Sequence, residues 1–241
     1  TKNPDYRLFD ILYNSLPDTH KQILTTQYRM IENIGNLISK VFYRGIIDTG
    51  CNDDEKRHGL SRYVGKSIVW FDTSANKKKS QKRTKGGSYI NEEEKRIILE
   101  ILDDLKSTGE LKGLDIGIIT GYSGQKELLR KSIKATGLDK IASKIDINTL
   151  DAFQGRENDI IIYSTVRTRD SIGFQKEKER VNVAFSRAKK LLIVCGDKNF
   201  FYNFDDQDNK FVEIIDYISE GEECEIIQCD GGKLFERESN S

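Results

Sequence analysis

The sequence predicts an α/β fold: a mostly parallel sheet with helices on both faces. Three observations carry this. Short apolar runs rich in β-branched residues recur along the chain. Several of these runs are continuously apolar, as strands covered on both faces are. Amphipathic helical patterns separate the runs, which is the order a parallel sheet with crossover helices requires. The 241 residues make one large domain or two small ones, and either has enough chain for a real core.

In chain order, Ile31, Ile34, Leu37, Ile38, Val41 and Phe42 recur at helical spacing and mark a helix that ends at Gly45. Residues 45–65 are polar, hold four glycines and show no period. Ser67–Phe71 reads as the first strand. Residues 76–88 carry six basic groups and no acid, and predict a mobile basic loop, either solvated or touching phosphates. Asn91 with Glu94 three residues on is an N-cap pair for a helix bearing Ile97, Ile98, Ile101, Leu102 and Leu105, closed by Gly109. Ile116–Thr120, Ile145–Leu150, Ile160–Val166 and Leu191–Cys195 are further strands. Gln125–Lys134 and Lys178–Lys189 are helical patterns between them.

Lysine plus arginine and aspartate plus glutamate both number 39, yet the charge is uneven. Residues 203–241 carry 12 acids and 3 bases, whereas residues 1–202 carry 36 bases and 27 acids. The first part is basic enough to meet nucleic acid. The division expected is a domain over 1–202, then an acidic segment, 203–241, made of a helix (Phe211–Ile218) and a ragged, solvated tail. No apolar stretch approaches the ~18 residues of a membrane span, and the start has no apolar signal region. The expected location is cytoplasmic, with the nucleus left open. Cys51, Cys195, Cys224 and Cys229 lack zinc-ligand spacing, so reduced thiols and no metal site are expected.

Gly65-Lys66-Ser67 imitates the end of a phosphate-binding loop. Five residues separate Gly59 from Gly65 where four are needed, and the triplet enters a strand rather than a helix. More informative are arginines in patterned settings. Gln27-Tyr28-Arg29-Met30 opens a helix. Asp151-Ala152-Phe153-Gln154-Gly155-Arg156-Glu157 follows a strand. Val181 through Ala188, with Arg187 near its end, forms a helix before the last strand. Singly, such an arginine often only balances a helix dipole, and such a glycine often only makes a turn.

Together and in this order, these segments resemble the second RecA-like domain of superfamily 1 helicases. The branch is the one typified by the RNA helicase of nonsense-mediated decay and its DNA-acting relatives. The matching stretches are residues 24–30, 116–129, 147–168 and 180–194, within a likeness over roughly 5–200. The resemblance implies a RecA-like, P-loop NTPase-like sheet without its own P-loop. Two positions depart from the family pattern: Gly121 replaces a proline and Ser186 a threonine. The first RecA-like domain is not in these residues, so the chain reads as a carboxy-terminal piece of a longer protein.

The resemblance also implies the site. The cofactor is ATP with Mg2+, bound in a cleft between the two RecA-like domains, with the metal held mainly by the first. Arg29 and Arg187 are the expected arginine fingers. Tyr28 stacks on the base, Gly155 allows close backbone approach and Glu157 bonds the ribose. Arg29, Glu157 and Arg187 should then meet on one open ledge, at the carboxyl ends of strands where ligands of open α/β sheets gather. Thr120, Tyr122, Thr149 and Arg167 are the candidates for contact with single-stranded DNA or RNA. The competing reading is a non-catalytic module on a helicase-derived scaffold, binding nucleic acid or protein, in which the basic loop and acidic segment matter most.

Overall fold

The apolar runs form strands and the amphipathic stretches form helices in the computed structural model, which describes residues 11–22, 24–52, 56–138, 144–153 and 155–235. Along the chain lie β1 (Thr26–Gln27), α1 (Glu32–Phe42), β2 (Asp48–Thr49), β3 (Ile68–Asp72), β4 (Lys82–Arg83) and β5 (Tyr89–Ile90). Then come α2 (Glu92–Ser107), β6 (Asp115–Thr120), α3 (Ser123–Thr136), β7 (Lys144–Thr149) and β8 (Asn158–Ser164). The chain continues with α4 (Lys178–Phe185), β9 (Ala188–Gly196), α5 (Lys198–Tyr202), α6 (Phe211–Glu220) and β10 (Cys224–Gln228). The central RecA-like sheet has the order β10-β3-β9-β8-β6-β7, and every neighbouring pair is parallel.

Period-two alternation divides the core between the two faces. Ile68, Trp70, Ile161, Tyr163, Leu192 and Val194 pack with apolar residues of α1, α4, α5 and α6. Val69, Phe71, Ile160, Ile162, Leu191 and Ile193 pack with those of α2 and α3. Trp70 is wholly buried; its Nε1 donates to Gly196 O at 3.1 Å and its ring meets Phe211 edge-on. Each such large side chain contributes roughly 1.5–3 kcal/mol by burial.

One polar cluster ties the helices to the sheet. The Asn91 side chain accepts from Glu93 N and Glu94 N, capping α2 as the sequence predicts. Glu94 does not complete a capping box. It is fully buried, and its carboxyl oxygens accept from Ser164 Oγ (2.6 Å), Thr165 Oγ1 (3.1 Å) and Val166 N (2.9 Å). Asn91 also donates to Val166 O, and Gln125 of α3 bonds Asn91 and Ser164. Val166 is held at φ 68, a left-handed conformation costly for a β-branched residue. That turn is why β8 stops at Ser164 instead of running to Val166 as expected.

Other boundaries also shift. The helical pattern over 178–189 divides: α4 ends at Phe185, and Ala188 already pairs with Asn158 in the sheet. The Gln27–Met30 segment precedes α1 rather than forming its first turn. The basic run contains a hairpin, β4 against β5, where a mobile loop is expected. Its start is tied down by a Lys79–Asp197 ion pair (2.7 Å) and by Gln81, which exchanges bonds with Thr168. The largest difference lies in the acidic segment. Helix α6 buries Phe211, Ile214, Ile215 and Ile218, and β10 is the outer strand of the central sheet beside β3. The expected division at 202/203 therefore falls inside one folded unit, and the segment is not a ragged tail as far as residue 235. The decoy lysine belongs to this edge: Lys66 Nζ donates to Glu222 O and Cys224 O.

Candidate nucleotide-binding ledge

Arg29 is positioned by its neighbour Gln27. The Gln27 side chain accepts from Arg29 N (2.9 Å) and Met30 N (2.8 Å) and donates to Met30 O and Thr49 Oγ1. Met30 and Ile31 are buried, and Ile31 N donates to Lys189 O at 2.8 Å. The bend is thereby anchored to the start of β9, and Arg29 projects from it. Tyr28 stands 68% exposed, with its ring against Gly50. Lys56 donates to the carbonyls of Tyr28 and Arg29 and braces the bend; sequence reasoning gave it no role, because residues 45–65 carry no period.

Arg29 Nε donates to Glu157 Oε2 at 2.6 Å and its Nη1 to Ser186 O at 3.1 Å. Arg187 donates from Nε to Val183 O (3.1 Å) and from Nη1 to Arg156 O (3.4 Å). The residue sits beyond the end of α4, in the two-residue link to β9. Burial lowers its affinity for its proton, and the nearby Arg29 lowers it further; Glu157 offsets this in part. Arg29 thus engages the Glu157 carboxylate directly, while Arg187 is held by backbone carbonyls beside it on a half-open surface. Gly155, at φ 80, turns the chain toward Glu157, with open space where a side chain would stand.

The three charged groups meet on one ledge, but at the other end of the sheet from the one expected. Glu157 immediately precedes β8 and Arg187 nearly adjoins β9, so the ledge lies at the amino ends of these parallel strands. The expectation linked Glu157 to the strand it follows; its position is set by the strand it enters. The Arg29–Glu157 pair has side chains 37% and 46% exposed, where an ion pair contributes little. Glu157→Gln is accordingly expected to move unfolding stability by no more than about 0.5 kcal/mol, read from urea denaturation of the chain. A loss several times larger would make the pair a structural brace.

The candidates for nucleic-acid contact lie at the opposite, carboxyl ends. Three of the four are covered. Thr120 is fully buried, and its carbonyl accepts from Leu150 N. Tyr122 is 4% exposed, packed between Tyr89 and Phe174. Arg167 is 5% exposed, with its guanidinium 4.2 Å from the Tyr89 ring centre. Thr149, the last residue of β7, is half-buried. The side chains of Thr120, Tyr122 and Arg167 are thus not presented to a strand, contrary to expectation, because neighbouring rings and backbone cover them. Among the described residues, no group of His, Cys, Asp and Glu is arranged to hold a metal ion, and no helix is long and apolar enough to cross a membrane.

A parallel RecA-like sheet with arginines from separate segments converging at its rim defines the class, and residues 5–199 match the family described as an AAA domain. The chain belongs to that family, as the C-terminal RecA-like domain of a superfamily 1 helicase of the nonsense-decay type. It is 36% identical over 185 residues to Helicase SEN1 of Saccharomyces cerevisiae, covering 72% of this chain and 8% of that protein. To the DNA polymerase alpha-associated DNA helicase A of Schizosaccharomyces pombe it is 30% identical over 239 residues, covering 90% and 35%. To the Regulator of nonsense transcripts 1 homolog of Neurospora crassa it is 32% identical over 181 residues, covering 72% and 16%. The chain thus spans well under half the length of these relatives. A solved C-terminal domain of a possible DNA helicase from Lactobacillus plantarum WCFS1 aligns at TM-score 0.42 and 14% identity, over 71% of this chain and 88% of that one.

Proposed function

We propose that this helicase domain supplies Arg29 and Arg187 as arginine fingers to ATP, in a cleft completed by the first RecA-like domain of the same protein. The supporting observation is the ledge itself, where Arg29 bonds both Glu157 and the carbonyl of Ser186, next in the chain to Arg187, so that positive charge is in excess on this rim. An anion carrying several charges relieves that excess. ATP, brought with Mg2+ held mainly by the first domain, supplies the transferable phosphoryl group.

Charge spreads over the equatorial oxygens as that group moves, and an arginine finger there accounts for ~10³–10⁵ in rate. The planar, permanently charged fork of arginine suits phosphate oxygens. Arg29 exchanges Glu157 and Ser186 O for phosphate oxygens, which frees Glu157 to take the ribose. Tyr28 stacks on the base, and Gly155 lets the backbone come close. A module that only binds strands has no use for these groups on one rim. Closure and opening of the cleft then drive movement along single-stranded DNA or RNA.

The isolated 241-residue chain is expected to release no phosphate from ATP above background, with or without oligonucleotide, because the groups that cradle the phosphates belong to the other domain. Sustained phosphate release by the pure chain, abolished by Arg187→Ala, would show the shared-site reading to be wrong.

A further inference from the structure

Away from the ledge, the carboxyl ends of β6 and β8 carry a cluster of rings and cations. Phe174 lies in the turn before α4 and is 46% exposed. Its ring rests on Tyr122, with centroids 5.5 Å apart, and Tyr122 in turn meets Tyr89 edge-on at 5.7 Å. The Arg180 guanidinium lies 5.1 Å from the Phe174 ring centre. The turn is built for this closeness. Gly173 has φ 62, and a Cβ there would stand 2.2 Å from the Tyr122 hydroxyl, so no other residue lets Phe174 settle onto that ring. Single exposed apolar side chains are ordinary; one tilted against a second ring, with a guanidinium over it and nearly half its surface exposed, is a prepared surface. Tyr89 also belongs to the basic hairpin, where it pairs directly with Arg83, and Lys82 and Arg83 are both exposed.

We propose that Phe174 is a stacking platform for a base of single-stranded nucleic acid, with Lys82 and Arg83 of the neighbouring hairpin holding the phosphates beside it. The assignment rests on the helicase reading above and deepens it, replacing the covered Tyr122 as the stacking residue. Rings that stack bases and cations that follow the backbone are the two parts from which sequence-tolerant strand binding is made. Here both stand on the same sheet end, and the basic run that the ATP ledge leaves unused finds a role.

The test is a titration of labelled oligothymidylate, and of an abasic oligomer of the same length, with the 241-residue chain across a salt series. Phe174→Ala and Phe174→Leu are expected to weaken oligothymidylate binding by at least about fivefold. Both should leave the abasic oligomer and the salt slope unchanged, while Phe174→Trp restores binding. Lys82→Gln combined with Arg83→Gln should lower the slope by about 1.4 on both probes, ~0.7 for each phosphate no longer neutralised. Unchanged oligothymidylate binding in Phe174→Leu overturns the platform, and so does an equal loss on both probes. Failure of the unaltered chain to bind either probe instead overturns the strand-binding reading of the whole domain.

Discussion

Replacing Arg187 by alanine in the complete helicase is expected to reduce ATP turnover by about 10³–10⁵-fold. The size follows from the proposed finger role, in which a guanidinium would act on the phosphoryl oxygens as charge develops there. Fold should survive. Arg187 is only partly buried, and the variant removes two bonds to carbonyls near the rim, Val183 O and Arg156 O. That costs roughly 1 kcal/mol. Strand affinity should also persist, because the rings and cations of the other sheet end are untouched. Arg187→Lys keeps the charge without the fork and should recover only a small part of the rate. Phosphate release under single-turnover conditions reads the effect. Turnover within a few-fold of normal in Arg187→Ala would remove Arg187 from the chemistry.

The second large effect concerns stability. Glu94→Ala is expected to destabilise the domain by about 3 kcal/mol, because it leaves a cavity and strands Val166 N, a buried donor whose unpaired state alone costs ~1–3 kcal/mol. Burial pushes the Glu94 carboxyl up to about 8, and nearby Asp197 adds to the rise; the bonds from Ser164, Val166 N and Thr165 work against it. Between the ordinary glutamate value of 4.5 and about 8, the folded chain holds a proton that the unfolded chain has lost. The stability contributed by this group therefore falls as pH rises through that window. Glu94→Gln keeps an acceptor for Val166 N without the titration. Its stability should match the parent near pH 5 and exceed it near pH 8, the two ends of that window. Urea melts at the two values give the comparison. Parallel pH profiles for Glu94→Gln and the parent would mean that Glu94 does not titrate in this range.

The core was legible because most of its strands are short apolar, β-branched runs buried on both faces, too short for buried helices and separated by clear helical patterns. β10 was not. As an outer strand it needs only half its side chains covered, and Cys224–Gln228 is short and flanked by acids. The ledge was legible through motif order alone: Arg29 and Glu157 are 128 residues apart, and no local pattern joins them. Its place on the sheet was misjudged because the approach to β8 crosses from one sheet end to the other within a few residues. For Thr120, Tyr122 and Arg167, motif position says nothing of exposure. Phe174 and Tyr89 decide how far the latter two are covered, and packing of that kind leaves no periodic trace. Glu94 looked like a capping partner because the spacing from Asn91 is right; its turn inward depends on Ser164 and Val166, which follow it by 70 and 72 residues.

Strand β3 is enclosed only because the chain returns after α6. Ser67 N donates to Glu223 O, and both Gln228 Nε2 and Cys229 N donate to Asp72 O. The stretch that matches the family stops at residue 199. A shortened protein ending there would present the unpaired backbone of β3 as a docking rail for other molecules and would lose Phe211 from the side of Trp70. Such an open flank invites self-association. Strand β10 takes the outer position instead, with a short edge flanked by acids.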